Sequence, residues 1–376
     1  TTQIAALTAT QLKGLTTTQV AGLTTTALGA LTETQIGGLA TSQLSGLTTT
    51  SVSALTTTQL TGLTAAQVGA LSNTNLSALD ATQVASLADT QIAGLKTTQL
   101  AALSTTDFGE LTATQIAALA STQLGALSST NFSSLDATAI AGLTETQVKG
   151  LTAGQIAALT TADVAEFADT QIAALTSTQL KSLSTTNVSA LDATQVAALT
   201  DTQVKGLTTT QLAALTTTDI GELNDTQVAA LGSTQIAALS ETNVSTLTTT
   251  QIAALTATQL KGLTTTQVAG LTTTALGALT ETQIGGLATS QLSGLTTTSV
   301  SALTTTQLTG LTATQVGALS ATNLSALDAT QVASLADTQI AGLKTTQLAA
   351  LSTTDFGELT ATQIAALAST QLGALS

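Results

Sequence analysis

The chain has 376 residues, 43% of them hydrophobic and only 7% charged, with a net charge of −14 and no Cys, Met, Trp, Tyr, His, Pro or Arg. Without Cys or His there are no disulfides, no soft-metal sites and none of the common nucleophile–base pairs of enzymes. The acidic balance argues against nucleic-acid binding, which needs a basic stripe, and against attraction to an anionic membrane, while the abundance of branched aliphatics argues against disorder.

The sequence is 47 octapeptides end to end, and Leu15-Thr16-Thr17-Thr18-Gln19-Val20-Ala21-Gly22 stands for all of them. Each octad reads as a short helix with both ends specified. Thr16 is an N-cap, its hydroxyl placed to accept from a backbone N–H two or three residues on. Gln19 completes a capping box by reaching back to the N-cap N–H, and Leu15 and Val20 hold the positions of a hydrophobic staple. Gly22 falls where the chain leaves the helix, so a left-handed C-terminal cap is expected there.

The charges follow this frame. Asp80, Asp136, Asp192 and Asp328 replace the capping threonine, and Asp107, Asp163, Asp219 and Asp355 replace the glutamine. Nine further acids, from Glu33 to Asp337, directly follow the cap. Thus 17 of the 21 acids fall in a first helical turn, where the helix dipole favours negative charge. Lys13, Lys149, Lys181, Lys205 and Lys261 sit at the opposite end, where it favours positive charge.

A continuous helix fails on period, because eight residues overshoot two turns by roughly 80° and the apolar positions wind around the axis. A strand places the leucine and its apolar partner on opposite faces, although Thr, Val and Ile all favour sheets. The expected fold class is therefore all-α, a solenoid of very short capped helices stacked around a Leu/Ile/Val core, with a β-solenoid as the alternative. One octad cannot bury its apolar pair alone, and helices this short are unstable in water, so stability must come from stacking. Threonines interrupt every octad, so no apolar run reaches the length of a membrane span, and no membrane insertion is expected.

Residues 1–376 read as one continuous solenoid with two further layers of repetition. A block of seven octads recurs, marked by Asn75, Asn131, Asn187 and Asn243, each followed by an apolar residue and a serine. Asp107, Asp163 and Asp219, each with a glutamate three residues on, keep the same interval, as do Lys149, Lys205 and Lys261. Residues 249–376 also repeat residues 1–128, differing only at Ala66 (Thr314) and Asn73 (Ala321). Either seven octads make a whole number of superhelical turns, or they are the unit of an old duplication.

Four features are candidate sites. The pairs Asp107/Glu110, Asp163/Glu166, Asp219/Glu222 and Asp355/Glu358 could share a helix face and hold Ca²⁺, but calcium wants six to eight oxygens. The expectation is instead a dipole-favoured aspartate and a solvated glutamate. Phe108, Phe132, Phe167 and Phe356 occupy core positions and are expected to fill space. Asn75, Asn131, Asn187, Asn243, Asn323 and Asn224 begin glycosylation triplets, five of them at the capping-box position. The threonine rows could bind ice, or could cap helices and satisfy neighbouring backbone. No catalytic, cofactor-binding or metal-binding residue is assigned.

The unit Leu111-Thr112-Ala113-Thr114-Gln115-Ile116-Ala117-Ala118-Leu119 resembles the octad tracts of giant bacterial secreted or surface repeat proteins, filament-like or adhesin-like. The resemblance covers the whole chain. It implies a structural protein of the extracellular space or cell surface, self-associating into a filament or fibre, with a cell-surface anchor outside this segment. A passive adhesin stalk and an ice-binding threonine array are the alternatives. The absence of methionine at Thr1 and the whole number of octads agree with a segment of a longer protein. The motif also resembles the first helix of DNA-reading repeats in plant-pathogen effectors. The second helix and base-reading loop of those repeats are missing, so no nucleic acid is implied.

Overall fold

A computed structural model describes residues 2–375. It is all-α: 47 helices of four to six residues, one per octad, run from Thr2–Ala5 to Ser369–Leu372, with no strand among the described residues. The chain forms two compact units, Thr1–Ala198 and Leu199–Ser376, and within each the helices stack as a solenoid.

Most helices begin as the octad predicts, although those preceded by Ala40, Lys96 or Gly232 have no side-chain cap bond. Thr16 is extended (φ −71°, ψ 159°), its Oγ1 accepts from the Gln19 N–H at 3.2 Å, and Gln19 Oε1 accepts from the Thr16 N–H at 2.8 Å. The C-terminal end is not as expected: no described residue has a positive φ, and Gly22 is right-handed (φ −81°, ψ −4°). The helix instead closes with a tight turn, Leu23 N–H to Val20 carbonyl at 3.1 Å. The following leucine then takes extended backbone, as Leu87 does (φ −68°, ψ 133°). That turn closes without a left-handed residue, which is why Ala54 and Ser134 serve as well as glycine at this position.

Glycine matters instead for close approach between turns. A Cβ on Gly62 would fall inside the van der Waals shell of Glu33 Cγ and 2.8 Å from the Glu33 carbonyl oxygen; one on Gly150 would lie 2.9 Å from the Ser121 carbonyl oxygen. Within each unit helices pack on those three octads further along, as Glu33–Gly37 does on Thr57–Thr61 and Ser233–Ala238 on Ala257–Gly262. The leucine and its partner five residues on, Leu55 and Leu60 for example, face inward and are buried. Burying such a side chain fully is worth about 1.5–3 kcal/mol, which compensates for helices too short to persist alone. Phe108, Phe132 and Phe167 are buried in this core and Phe356 is half-buried.

Glutamines reach carbonyls 28 to 31 residues back, and Gly62 sits against both Glu33 and Gly37 of the turn before. These contacts centre on a separation of 28 residues, or three and a half octads per superhelical turn. Seven octads therefore span two turns, and a residue recurring at that interval returns to the same side of its unit. Within each unit the seven-octad block is a structural period.

Candidate functional site: a glutamine ladder and two charged edges

The glutamine of the octad does more than cap. While Oε1 closes the capping box, Nε2 donates to the turn before. Gln43 Nε2 reaches the carbonyls of Leu12 (2.9 Å) and Leu15 (2.7 Å), Gln59 those of Leu28 (2.9 Å) and Leu31 (2.7 Å). The second unit repeats this, with Gln307 donating to Leu276 (2.8 Å) and Leu279 (2.7 Å). One side chain thus satisfies an orphan N–H at the start of its own helix and carbonyls where an earlier helix ends. The glutamines are accordingly buried, Gln115 to 1% exposure and Gln227 to 0%. Gln11 and Gln19, in the first turn, are exposed.

Where asparagine replaces glutamine, only half of this remains. Asn75 Nδ2 still donates to the Leu47 carbonyl (2.9 Å) and Asn187 Nδ2 to that of Leu159 (2.7 Å). Their helices have no capping box, because the shorter side chain cannot also reach back. Asn75, Asn131, Asn187, Asn243 and Asn323 are all at most 3% exposed with Nδ2 engaged. A glycan on any of them requires opening the stack. Asn224, by contrast, is an exposed N-cap.

Within each unit the superperiod residues meet on one edge. Ser77 Oγ donates to Asp107 Oδ2 and Ser133 Oγ to Asp163 Oδ2, each at 2.8 Å across 30 residues, and Ser325 Oγ to Asp355 Oδ2 at 2.9 Å. The serines of the Asn75, Asn131 and Asn323 triplets therefore hydrogen-bond the aspartate of the next turn, whereas Ser245 donates to the Thr242 carbonyl. Burial raises the Glu110 pKa above its ordinary value, and the nearby carboxylates of Asp107 and Asp80 raise it further. Asp355 is lowered, chiefly by the Ser352 N–H (2.8 Å) and also by the hydroxyls of Ser352 and Ser325. Asp192 is lowered by the Thr194 hydroxyl (2.6 Å) and then by the Gln195 N–H (2.9 Å). Glu166 Oε2 is buried without a hydrogen-bond partner. Among the described residues no group of three or more acidic side chains is arranged to hold a metal ion. The glutamates are half-buried against their neighbours where the sequence suggested solvated ones.

The class defined by this geometry is a tandem-octapeptide helical solenoid bonded from turn to turn by side-chain amides. Residues 172–209 and 204–241 match the profile of the ALTTAQ repeat family. The two matches begin four octads apart, so the family unit is in phase with the octad. No curated protein matches the chain. Among the described residues no helix is long and apolar enough to cross a membrane.

Proposed function

We propose that the chain is a structural protein, a segment of a self-associating extracellular filament or surface fibre, and not an enzyme. The observation that carries this reading is the glutamine ladder. Within each unit the turns are joined one to the next by buried side-chain amide hydrogen bonds, so tension along a unit's axis is shared among many small contacts. A repeat array stabilised by nearest-neighbour terms tolerates changes of length, in keeping with the near-identical copies at 1–128 and 249–376.

Electron microscopy of the purified chain over a range of concentrations tests this. Filaments that lengthen with concentration are the expected result. Discrete particles of constant length at every concentration would replace the fibre with the adhesin stalk. For the threonine array, the readout is thermal hysteresis. The cap hydroxyls are already occupied, Thr16 Oγ1 donating to Gln19 Oε1 at 3.1 Å, which leaves fewer hydroxyls for ice than the composition suggests.

A further inference from the structure

The seven lysines are not scattered around the solenoid. In the first unit, Gln179 Nε2 donates to the Lys149 carbonyl (3.4 Å), which brings Lys181, two residues past that glutamine, above Lys149. Below them, Gly150 lies against Ser121, and Gln123 donates to the carbonyl of Leu95 (2.7 Å), the neighbour of Lys96. Lys96, Lys149 and Lys181 therefore lie along one edge. Lys13, whose carbonyl accepts from Gln43 (3.3 Å), stands close to three whole turns before Lys96. In the second unit, Gln235 donates to the Lys205 carbonyl (3.2 Å), Gly262 lies against Ser233, and Gln291 donates to the Lys261 carbonyl (3.4 Å). Lys205 and Lys261 thus stand two turns apart on one edge. All seven lysines are exposed.

The acids of the superperiod occupy the opposite edge. Lys96 falls nearly midway along the chain between Asp80 and Glu110, and Lys149 nearly midway between Asp136 and Asp163. In the second unit Lys344 falls in the same way between Asp328 and Glu358. Each of these lysine-to-acid intervals is close to two octads, about half of a turn. Of the remaining acids, Glu145 and Asp201 border the lysine edge, four residues before Lys149 and Lys205, whereas Lys13, Lys96, Lys181, Lys261 and Lys344 have no acid within four residues.

Two physical facts give this segregation a consequence. A solenoid two helices thick is roughly 20 Å across, whereas charge is screened over about 8 Å at physiological ionic strength. A neighbour facing the lysine edge therefore meets local positive charge despite the net charge of −14. The two edges also share one spacing within the units, since Lys205 and Lys261 of the second unit stand seven octads apart, as do Asp107 and Asp163 of the first. Side by side, the second unit of one copy can match both lysines to acids on the first unit of another in a single register.

We propose that the lysine edge is a lateral docking surface for the acidic edge of a second copy of this chain. The pairing is heterologous: each copy added leaves one edge of each kind open, so it continues into a bundle or sheet and does not stop at a dimer. Exposed ion pairs are individually weak, and the matched spacing makes them act in series. The inference rests on the fibre reading and adds the surface by which fibres join sideways.

The test uses the full chain and a variant of unchanged net charge, Lys149→Ala with Ala157→Lys and Lys205→Ala with Ala213→Lys. Each lysine moves by one octad, more than a quarter-turn, to an exposed site at the same octad position. Sedimentation velocity and electron microscopy at about 0.15 M and 1 M salt read side-by-side association, and circular dichroism reads folding. Expected are lateral assemblies of the parent chain that separate at high salt. The variant should be equally helical and associate sideways about tenfold more weakly. Lateral association indifferent to salt and to relocation would overturn the proposal. So would growth along the axis with no side-by-side pairing, or binding to anionic vesicles in place of self-pairing, and both of these leave the fibre reading standing. Absence of any self-association would overturn the two together.

Discussion

Glutamine is the residue on which the turns depend. Replacing Gln115 by Ala removes hydrogen bonds to the carbonyls of Val84 (2.9 Å) and Leu87 (2.8 Å) and an acceptor for the Thr112 N–H (2.9 Å). Buried polar groups left unsatisfied cost about 1–3 kcal/mol, and the site lies at 1% exposure. Gln115→Ala is expected to lower stability by about 2–3 kcal/mol in chemical denaturation, with amide exchange quickened near residues 84–87 and 112–116. Gln115→Asn should cost less, because Asn75 keeps the turn-to-turn bond. Half of this role was legible in the sequence, since Thr16 and Gln19 spell out the capping box. The other half was not, because its partners lie a whole turn back and a locally satisfied glutamine gives no sign of a second bond.

The carboxylates give a pH dependence of stability with two opposite signs. Glu110 has a raised pKa, so the folded state holds its proton more tightly than the unfolded chain, and the ionised form opposes folding. Glu110→Gln should therefore raise the denaturation midpoint at pH 7. The gain should vanish below the unfolded carboxylate pKa of about 4.3. Asp355 has a lowered pKa, so its contribution is present above the unfolded value and is lost as pH falls through the folded one. Asp355→Asn should lower the midpoint at pH 7 and leave it unchanged in acid. Denaturation of both variants at a series of pH values checks the pair.

At the scale of the element, the octad states where each helix begins far better than why it ends. Thr16, Asp80 and Asn224 all cap as their chemistry requires. The left-handed glycine expected at Gly22 is absent because the turn closes with ordinary backbone angles. What glycine allows at Gly62 is contact with Glu33 of another turn, which cannot be seen until the register of stacking is known. Gly62→Ala is expected to destabilise, since the added carbon meets backbone that cannot swing aside. A Cβ on Gly29, inside the helix Thr25–Gly29, meets nothing within 4 Å. Gly29→Ala should therefore stabilise by about 0.5–1 kcal/mol. Thermal melts of the two variants separate packing from helix propensity.

For the whole molecule, the repeated block is where the sequence showed a pattern without its meaning. Asn75, Asn131 and Asn187 make the seven-octad interval plain, but only the stacking makes it two turns. Deleting residues 81–136 removes one such block and should leave both folding and salt-sensitive lateral association in place. Deleting residues 129–136, a single octad, should also fold, because the octads that remain stay in phase. It moves Lys149 more than a quarter-turn relative to Lys96, and lateral association should weaken. Circular dichroism and sedimentation velocity on the two deletions check this.

The glutamine ladder also has a direction. Gln43 donates to Leu12, Gln155 to Leu124 and Gln363 to Val332, in each case from later chain to earlier. An octad leaving a ribosome or a translocation pore finds its acceptors already in place in the turn before it. Its glutamine waits for nothing still to come, and the partners are only one turn away along the chain, a separation that favours fast folding. The chain can therefore wind up behind the exit as it emerges, each new turn locking onto the last like the tooth of a ratchet and resisting backward slip.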